Sequence, residues 1–299
     1  MFDVLIVGGS FAGLSAAMQL ARARRSVCVI DSGSPRNRFA ATSHGFFGQD
    51  GAPPRQMIAT AREKLLAYPT VTVHADQVDE AERDGATFRV TLASGTSLMA
   101  RKLILAFGLK DEVPSIPGMT ERWGYSVLHC PYCHGYEFGG RPLGVLSVSP
   151  LSIHQAMLIP EWGPTTFFLN GQALPDESTK AHLTQRGVII EPASVAALEG
   201  VGQELSGVRL SDGRLVPIAA LYFVPKTTFQ SSVAEQLGCA IDDGAFGKVI
   251  RTDQTKLTTV RGVYASGDIA HMPHNATLAS ADGVLAGMSA HRSLVFEPE

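Results

Sequence analysis

Cysteine is scarce in this chain, and its scarcity limits the roles that sulfur can have. Only 4 of the 299 residues are cysteines, so the chain lacks the dense disulfide framework of small secreted domains. Two of them, Cys28 and Cys239, stand alone in apolar, strand-like surroundings. There is also no second C-x-x-C pair to complete the four ligands of a structural zinc site. We therefore expect no metal site.

The chain also lacks an excess of basic residues and any long hydrophobic run. Its formal net charge is -3 at pH 7, without runs of like charge or interleaved basic and aromatic residues, so nucleic acid is not an expected partner. The first apolar run, Val4–Val7, follows Asp3 and soon ends in glycines. It is too short for a membrane helix and does not have the form of a signal peptide. We expect a cytoplasmic protein without a membrane association, whose partner is a small molecule or another protein.

The other two cysteines stand together in segment 129–137, which reads His-Cys-Pro-Tyr-Cys-His-Gly-Tyr-Glu. C-x-x-C spacing lets two sulfurs form a small-ring disulfide or share a metal ion. In a reducing cytosol, a redox role is favoured over a structural disulfide. His129 and His134 flank the pair, and a thiol needs a nearby base or cation to become a reactive thiolate. Cys130, Cys133 and His134 are therefore the candidate catalytic residues, whereas a structural hydrogen bond explains His129 equally well.

The N-terminal sequence has the order of a nucleotide-binding βαβ unit. The predicted elements are a buried strand at Phe2–Val7, a turn at 8–13, a helix at Leu14–Arg25 and a strand at Val27–Ile30. Asp31 stands 18 positions after Gly13, which is about where a dinucleotide fold places the carboxylate that binds a ribose hydroxyl. Ser10 occupies the second glycine position of the G-x-G-x-x-G fingerprint, which weakens the match. Strand, turn, helix, strand and acid in this order still favour a nucleotide site.

The rest of the chain predicts a second α/β unit, and 299 residues with 45% hydrophobic content are enough for two domains. In the first unit we predict a helix from Pro53-Pro54, an antiparallel meander over Val71–Val78, Thr87–Leu92 and Ser97–Leu105, and a linker at 113–118. In the second we predict strands at Gly144–Val148, Thr165–Leu169 and Val188–Ile190, and a helix at Ile153–Ile159. A last strand ends in Gly267-Asp268, and the final helix is predicted at Ala279–Leu294.

The second α/β unit lacks the glycine fingerprint of a dinucleotide site. The segment 147–152, which follows its first strand, reads Ser-Val-Ser-Pro-Leu-Ser, and Pro150 removes a donor amide. The next predicted strand ends in Asn170-Gly171, where a site for the 2′-phosphate of NADPH would need basic residues. NADPH binding in the usual pose is therefore not expected.

Three of these features together resemble the low-molecular-weight thioredoxin reductase family over essentially the whole chain. They are the glycine-rich strand-turn-helix, the C-x-x-C in an inserted unit, and Gly267-Asp268 before the final helix. The sequence Cys-Pro-Tyr-Cys-His-Gly-Tyr-Glu resembles that family's dithiol-oxidase branch more than its ordinary reductases. Enzymes of this branch close the disulfides of gliotoxin-, holomycin- and romidepsin-type natural products. That branch carries histidine after the second cysteine, whereas ordinary thioredoxin reductases carry an acidic residue.

The resemblance implies an α/β fold of two Rossmann-like, three-layer ββα dinucleotide-binding domains, the second inserted in the first. The FAD-binding domain would comprise residues 1–112 and 246–299, and a pyridine-nucleotide-type domain with the C-x-x-C and a degenerate NADPH site would comprise 113–245. The implied FAD-binding residues are Gly8, Gly9, Ser10 and Gly13 at the pyrophosphate, Asp31 at the adenosine ribose, Gly108 at a second glycine-ending strand, and Gly267 with Asp268 at the ribityl chain. A homodimer is implied as well.

The resemblance also assigns roles to the motif. Cys133 would exchange electrons with the flavin, Cys130 would form a mixed disulfide with substrate, and His134 would move protons. The family's Arg-Gln pair in the C-terminal segment is replaced here by His274-Asn275, a further departure from NADPH use.

Three functions are compatible with this pattern. In the favoured one, a small-molecule or peptide dithiol reduces the Cys130–Cys133 disulfide, the pair reduces FAD, and O2 reoxidises the flavin. In the second, a donor such as ferredoxin feeds electrons towards thioredoxin; the acidic balance of the chain offers it no basic docking face. In the third, the protein is a flavin-binding redox sensor with the cysteines as its switch.

Overall fold

The computed structural model describes residues 1–174 and 176–297, and the chain divides into two compact units. Unit 1 consists of Met1–Arg38, Phe46–Lys110 and Thr227–Glu299, and unit 2 consists of Phe39–Gly45 and Asp111–Lys226. Unit 2 is thus inserted into the sequence of unit 1. The allocation of FAD to 1–112 and 246–299 stays a prediction, and Pro175, Pro298 and Glu299 lie outside the described residues.

The N-terminal third of the chain contains two helices and seven strands. They are β1 (Phe2–Val7), α1 (Phe11–Arg22), β2 (Val27–Ile30), α2 (Pro54–Leu66), β3 (Val71–His74), β4 (Val78–Asp84), β5 (Thr87–Leu92), β6 (Ser97–Leu105) and β7 (Leu109–Asp111). Helix α1 begins three residues before the predicted start, because Ser10 already has the extended backbone of an N-cap. Helix α2 begins at the predicted prolines, whose missing amide costs nothing in a first turn.

The middle of the chain contains shorter elements. They are 3₁₀ turns at Thr120–Arg122, Tyr136–Phe138 and Ile159–Glu161, helices α3 (Pro131–His134), α4 (Leu151–Leu158) and α5 (Glu177–Gln185), and strands β8 (Val127–Leu128), β9 (Leu143–Leu146), β10 (Thr165–Phe168), β11 (Ile189–Glu191), β12 (Val195–Glu199), β13 (Gly207–Leu210), β14 (Leu215–Pro217) and β15 (Ala220–Tyr222). The C-terminal part contains β16 (Thr227–Phe229), α6 (Val233–Gln236), β17 (Ile241–Asp243), β18 (Lys248–Ile250), β19 (Val263–Ala265), a 3₁₀ turn at Gly267–Ile269, and α7 (Ala276–Phe296).

The central sheet of unit 1 is parallel. Strands β3, β2, β1 and β6 are neighbours in that order, β19 pairs with the other side of β6, and all these pairings are parallel. Residues Val4–Val7 of β1 and all of β2 are runs of Val, Leu, Ile and Cys buried on both faces, as parallel strands under helices require. The predicted meander is wrong at its first strand, since β3 pairs parallel with β2, and only β4, β5 and β6 are antiparallel. Alternating apolar residues do not determine the direction of pairing.

Helices α1 and α7 of unit 1 pack through small residues. A Cβ placed on Gly283 would lie 2.0 Å from the carbonyl oxygen of Ala12, and one on Gly287 would lie 2.6 Å from that of Ala16. Only glycine therefore permits this approach of the two backbones. Helix α7 begins at Ala276, before the predicted Ala279, because the side chain of Asn275 accepts the N–H groups of Thr277 and Leu278.

Unit 2 repeats the sheet order of unit 1. Its strands lie in the order β11, β10, β9, β15, β8 and are all parallel, and β12, β13 and β14 form an antiparallel sheet. The fold of two Rossmann-like α/β units is thus confirmed. The segment 113–118 is not a linker, because Val113 and Ile116 pack against the hydrophobic core of unit 2 around Trp123 and Phe223.

No helix in the described part of the chain has the length and apolarity needed to cross a membrane. Within residues 1–174 and 176–297, no group of three or more His, Cys, Asp or Glu side chains is placed to hold a metal ion.

Candidate active site

The turn between β1 and α1 in unit 1 has room only for glycine at three positions. Gly8 has a positive φ of 113°, and a Cβ there would lie 2.2 Å from the carbonyl oxygen of Ala106. A Cβ on Gly13 would lie 1.8 Å from the carbonyl oxygen of Gly8, and one on Gly9 would lie 2.6 Å from Cβ of Asp31. The turn is therefore pressed against the ends of β2 and β6.

The predicted cofactor residues of unit 1 follow strands that end at one edge of its sheet. Because β1, β2, β6 and β19 are parallel, the segments after their carboxyl ends meet there. Gly108 has a positive φ of 71° after β6, and a Cβ on Gly267 after β19 would lie 2.9 Å from Cβ of Ala12 in α1. The first turn of α1 contains no acidic side chain, and the side chain of Ser10 does not cap it. Its amide groups and positive dipole end are therefore suited to an anion.

Two carboxylates of this edge are held by arginines. Asp31 accepts the N–H of Gly33 at 3.1 Å and lies 3.5 Å from the guanidinium of Arg62. Asp268 pairs with Arg36 at 2.8 Å, and both side chains are largely buried. The sequence analysis found neither arginine. No spacing rule connects Arg36 to Asp268, which is 232 positions away.

The turn that carries Asp268 has its own buried support. The N–H of Gly267 donates to Asp282 of α7 at 2.9 Å, and the same carboxylate forms an ion pair with Lys256. Both partners of that pair are nearly buried. Ser266, just before the turn, has a fully buried hydroxyl without a hydrogen-bond partner among the described residues. Asp282 and Lys256 are further residues that sequence spacing did not reveal.

In unit 2, the C-x-x-C forms the start of the short helix α3. Cys130 is the N-cap, Pro131 is the first helical residue, and the two cysteines are joined in a disulfide with Cα atoms 5.4 Å apart. The N–H of Cys133 donates to Sγ of Cys130 at 3.2 Å. Both cysteines are partly exposed. The predicted pair is therefore assembled, with a hydrogen bond that would also favour a thiolate on Cys130.

The backbone and rings around the disulfide are fixed by neighbouring elements of unit 2. Gln155 of α4 donates from Nε2 to the carbonyl oxygen of His129 at 2.9 Å. The His129 ring packs on Trp123 with centroids 5.8 Å apart, which agrees with a structural role for this histidine. A Cβ on Gly135 would lie 2.6 Å from the Trp162 ring, so this position after His134 requires glycine.

His134 ends α3 and is kept neutral by its surroundings. Burial lowers the pKa of its imidazole below the ordinary value, Glu137 opposes this by raising the pKa, and His44 lowers it further. An imidazole that is neutral at physiological pH can accept a proton from a thiol. Glu137 is part of the motif but had no assigned role, and His44, on a distant loop, had none either.

The turn between β9 and α4 has its amide groups occupied. The hydroxyl of Ser152 accepts the N–H of Val148 at 3.1 Å and that of Ser149 at 3.3 Å. These are amides of the turn that would bind a pyrophosphate in a dinucleotide site. Asn170, at the end of the next strand, accepts the N–H of Val195 at 2.9 Å. These three amides are therefore already hydrogen-bonded, whereas the buried hydroxyl of Ser149 has no partner among the described residues.

The two cysteines outside the motif lie in the hydrophobic core of unit 1. Cys28 is fully buried in β2, and burial raises the pKa of its thiol to about 12. Cys239 is nearly buried, its pKa is also raised by burial, and its Sγ lies 3.6 Å from the hydroxyl of Thr258. Neither has the properties of a reactive thiol.

Comparison with known proteins identifies the family. Residues 2–152 match the pyridine nucleotide-disulphide oxidoreductase family. The chain belongs to this family. It is 33% identical over 307 residues to the thioredoxin reductase tcpT of Claviceps purpurea, covering 98% of this chain and 94% of that one. Within the family it is a thioredoxin reductase-like flavoprotein, as its sequence features predicted.

Solved structures of this family have the same fold. The oxidoreductase from Agrobacterium tumefaciens is 45% identical with a TM-score of 0.95, covering 99% of both chains. HlmI is 36% identical with a TM-score of 0.93, covering 98% of this chain and 92% of that one.

The edge of unit 1 fits the FAD that this thioredoxin reductase-like family binds. Glycines 8, 9 and 13 let the turn pack closely on the ends of the strands, and the amides at the start of α1 can bind a pyrophosphate. Asp31 and Asp268 can accept ribose and ribityl hydroxyls. The unpartnered hydroxyl of Ser266 is a further polar group at the same turn. The roles of the individual residues stay predictions.

Proposed function

We propose that this flavoprotein oxidises a small-molecule or peptide dithiol to a disulfide, with O2 as the electron acceptor. The observation that carries the proposal is the pair of hydrogen bonds from Val148 and Ser149 to Ser152, which occupy two amides of the turn where a dinucleotide site binds its pyrophosphate. A reductase without its nicotinamide donor must receive electrons elsewhere, and the disulfide is already in the oxidised state that can accept them from a dithiol. The sequence Cys-Pro-Tyr-Cys-His agrees with the dithiol-oxidase branch.

The disulfide exchange is balanced between substrate and protein. One thiolate of the substrate attacks Sγ of Cys130, the Cys130–Cys133 bond breaks, and Cys133 leaves as a thiolate. The second substrate thiolate attacks the substrate sulfur of this mixed disulfide, which closes the product disulfide and releases the Cys130 thiolate. Two electrons and two protons pass from substrate to the cysteine pair. The N–H of Cys133 can stabilise the developing charge on Cys130.

FAD, when bound, would supply two-electron redox chemistry that connects the reduced cysteine pair to O2, with peroxide as the reduced product. Gly8, Gly9, Gly13, Asp31 and Asp268 are the residues proposed to hold it. Neutral His134 would take the proton of the attacking thiol and return it to a leaving thiolate. The dimer and the cytoplasmic location stay predictions. A second copy of the chain could cover exposed apolar residues of α7, which include Leu285, Met288, Val295 and Phe296.

Anaerobic bleaching of the flavin tests the proposal directly. We expect a dithiol to bleach the flavin and readmitted air to restore it with uptake of one O2 per disulfide formed. NADPH should not bleach it, since the turn amides of unit 2 are occupied. Rapid bleaching by NADPH would overturn the proposal in favour of an ordinary reductase. Bleaching only by reduced ferredoxin would favour the reverse electron flow towards thioredoxin, and bleaching by none of these would favour a sensor.

Replacement of His134 should change both the rate and its pH dependence. His134→Ala removes the base, so we expect dithiol oxidation to slow by about 100-fold or more. In the unmodified protein the rate should rise with pH as His134 loses its proton; we call this rising part of the pH profile the acid limb. Its midpoint should lie below the ordinary imidazole pKa, because burial lowers the pKa of His134. The variant should lack the limb. Stopped-flow reduction by dithiol over a pH series measures both effects.

The other flanking histidine provides the control for this measurement. His129→Ala removes a ring that packs on Trp123, so some stability should be lost, but the acid limb should remain. If the acid limb persisted in His134→Ala and disappeared in His129→Ala, His129 and not His134 would be the proton acceptor.

A further inference from the structure

The acidic side chain of Glu137 lies near the disulfide of unit 2, and the proposed chemistry does not use it. Oε1 of Glu137 lies 3.3 Å from Nε2 of His44. Glu137 also follows His134 by three positions, and Gly135 between them has helical backbone angles (φ -73°, ψ -31°). Residues three apart along a helical turn are neighbours on one face. Glu137 therefore contacts His44 and lies within one helical turn of His134.

His44 reaches this place through a short segment that leaves unit 1. Residues Phe39–Gly45 belong to unit 2, although the chain before and after them belongs to unit 1. Phe39 packs so closely on unit 2 that a Cβ on Gly124 would lie 2.5 Å from Phe39 Cβ. Near the other end of the segment, Thr42 Oγ1 lies 3.1 Å from Nε2 of His44. The segment thus holds the imidazole against Glu137.

We propose that Glu137 and His44 form a carboxylate–imidazole pair that sets the pH range in which His134 accepts a proton. This inference rests on the proposed function, because the pair acts through the proton transfer assigned to His134. Both members of the pair have partial access to solvent, with 41% of the Glu137 side chain and 24% of the His44 side chain exposed. A proton that reaches the pair can therefore pass to water.

The two members act on His134 with opposite sign. The negative charge of Glu137 raises the pKa of His134, because it favours the protonated imidazole, and His44 lowers it, because like charges repel. These are the charged groups that act on the His134 ring; the adjacent sulfurs are joined in the disulfide and do not titrate. Burial, the largest of the effects on this pKa, lowers it as well.

Substitution of each member separately tests the inference. In the complete oxidised protein, NMR titration of the His134 ring nitrogens would be compared for Glu137→Gln and His44→Gln. Glutamine introduces an amide that can still form hydrogen bonds at each position, and it removes the charge. We expect the His134 pKa to fall in Glu137→Gln and to rise in His44→Gln, with the acid limb of dithiol oxidation moving the same way. A pair this exposed contributes little to the free energy of unfolding, so both variants should fold.

Matched controls are available on α5 of unit 2. Glu177 is an exposed carboxylate 3.5 Å from Lys180, and His182 is an exposed histidine of the same helix. Glu177→Gln and His182→Gln should leave the titration of His134 unchanged. An unchanged His134 pKa in both test variants, or shifts in one direction only, would overturn the inference. If the opposite shifts occur while no dithiol is oxidised, the inference about the pair stands and the proposed function fails.

Discussion

Cys130→Ser should lose dithiol oxidation by on the order of 10³-fold or more while the purified protein keeps its flavin. A serine cannot form the disulfide that accepts two electrons, so the loss follows from chemistry rather than from misfolding. Serine is also a good N-cap, and its hydroxyl can accept the N–H of Cys133 as the sulfur does now. We therefore expect α3 to remain intact. Absence of the disulfide itself should cost at most about 2 kcal/mol, because it closes a very short loop.

The partner variant distinguishes the two sulfurs. Cys133→Ser should also stop turnover, but it leaves a free Cys130 thiolate that can attack an added disulfide: Cys130 bonds to one sulfur of the probe, and the other sulfur leaves as a thiolate. With the disulfide of a monothiol as the probe, we expect one thiol of the probe to remain bound per chain, as measured by mass spectrometry under non-reducing conditions. Stable adduct formation in Cys130→Ser instead would exchange the roles of the two cysteines. Undiminished oxidation in both variants would show that this pair does not carry the reaction.

A core cysteine supplies the control for both variants. Cys239 is nearly buried and packs in the hydrophobic core of unit 1. Cys239→Ala removes a thiol and leaves the motif untouched, so some stability should be lost but turnover should continue. A loss of turnover comparable to that in Cys130→Ser would indicate that thiol loss acts through the fold.

Gly13→Ala should destabilise unit 1 by about 3 kcal/mol or more and release the flavin. The added Cβ would lie 1.8 Å from the carbonyl oxygen of Gly8, and no side-chain rotation can relieve a contact between two backbone-fixed atoms. The turn must therefore move away from the end of β1, together with the amides that would bind the pyrophosphate. Flavin absorbance per chain and the thermal unfolding temperature, with and without added FAD, measure the two effects.

Gly139→Ala is the matched control for this substitution. Gly139 has φ -52° and ψ 133°, angles that alanine adopts freely, and its Cβ would lie 3.2 Å from one carbonyl oxygen only, that of Tyr136. Its flavin content and unfolding temperature should stay close to those of the unmodified protein. If Gly13→Ala retained flavin and stability to the same degree, the tight β1–α1 turn could not be what holds the cofactor.

Sequence patterns predicted the strands and helices best where local chemistry decides them. The buried runs of β1 and β2, the prolines that open α2 and the glycine turns were all found in place. The boundary errors arose at caps, such as Asn275, whose side chain starts α7 three residues earlier than its apolar pattern indicated. The misassigned strand at 71–74 shows a different limit, because the pairing partner of a strand is a tertiary choice.

The sequence alone showed that the second nucleotide turn lacks its glycines, but it did not show which group binds the amides of that turn. Sequence showed that residues 147–152 lack the fingerprint; the structure showed that Ser152 occupies two of the turn amides. His274-Asn275 was interpreted as a lost cofactor contact, and the structure gives Asn275 a helix-capping function. Both additions depend on side-chain directions that spacing does not determine.

The sequence by itself determined the family, the two α/β units and the redox pair, because these depend on residue types at short, fixed spacings. A C-x-x-C closes within four residues, and a glycine turn joins one strand to the next helix. Only the tertiary structure decided which distant groups surround those motifs: Arg36 at Asp268, Asp282 at Gly267, and His44 at Glu137. The first two contacts arise because parallel strands end at one edge of the sheet, and the third arises because the segment Phe39–Gly45 belongs to unit 2. Long-range packing determines both arrangements, and local sequence patterns do not reveal them.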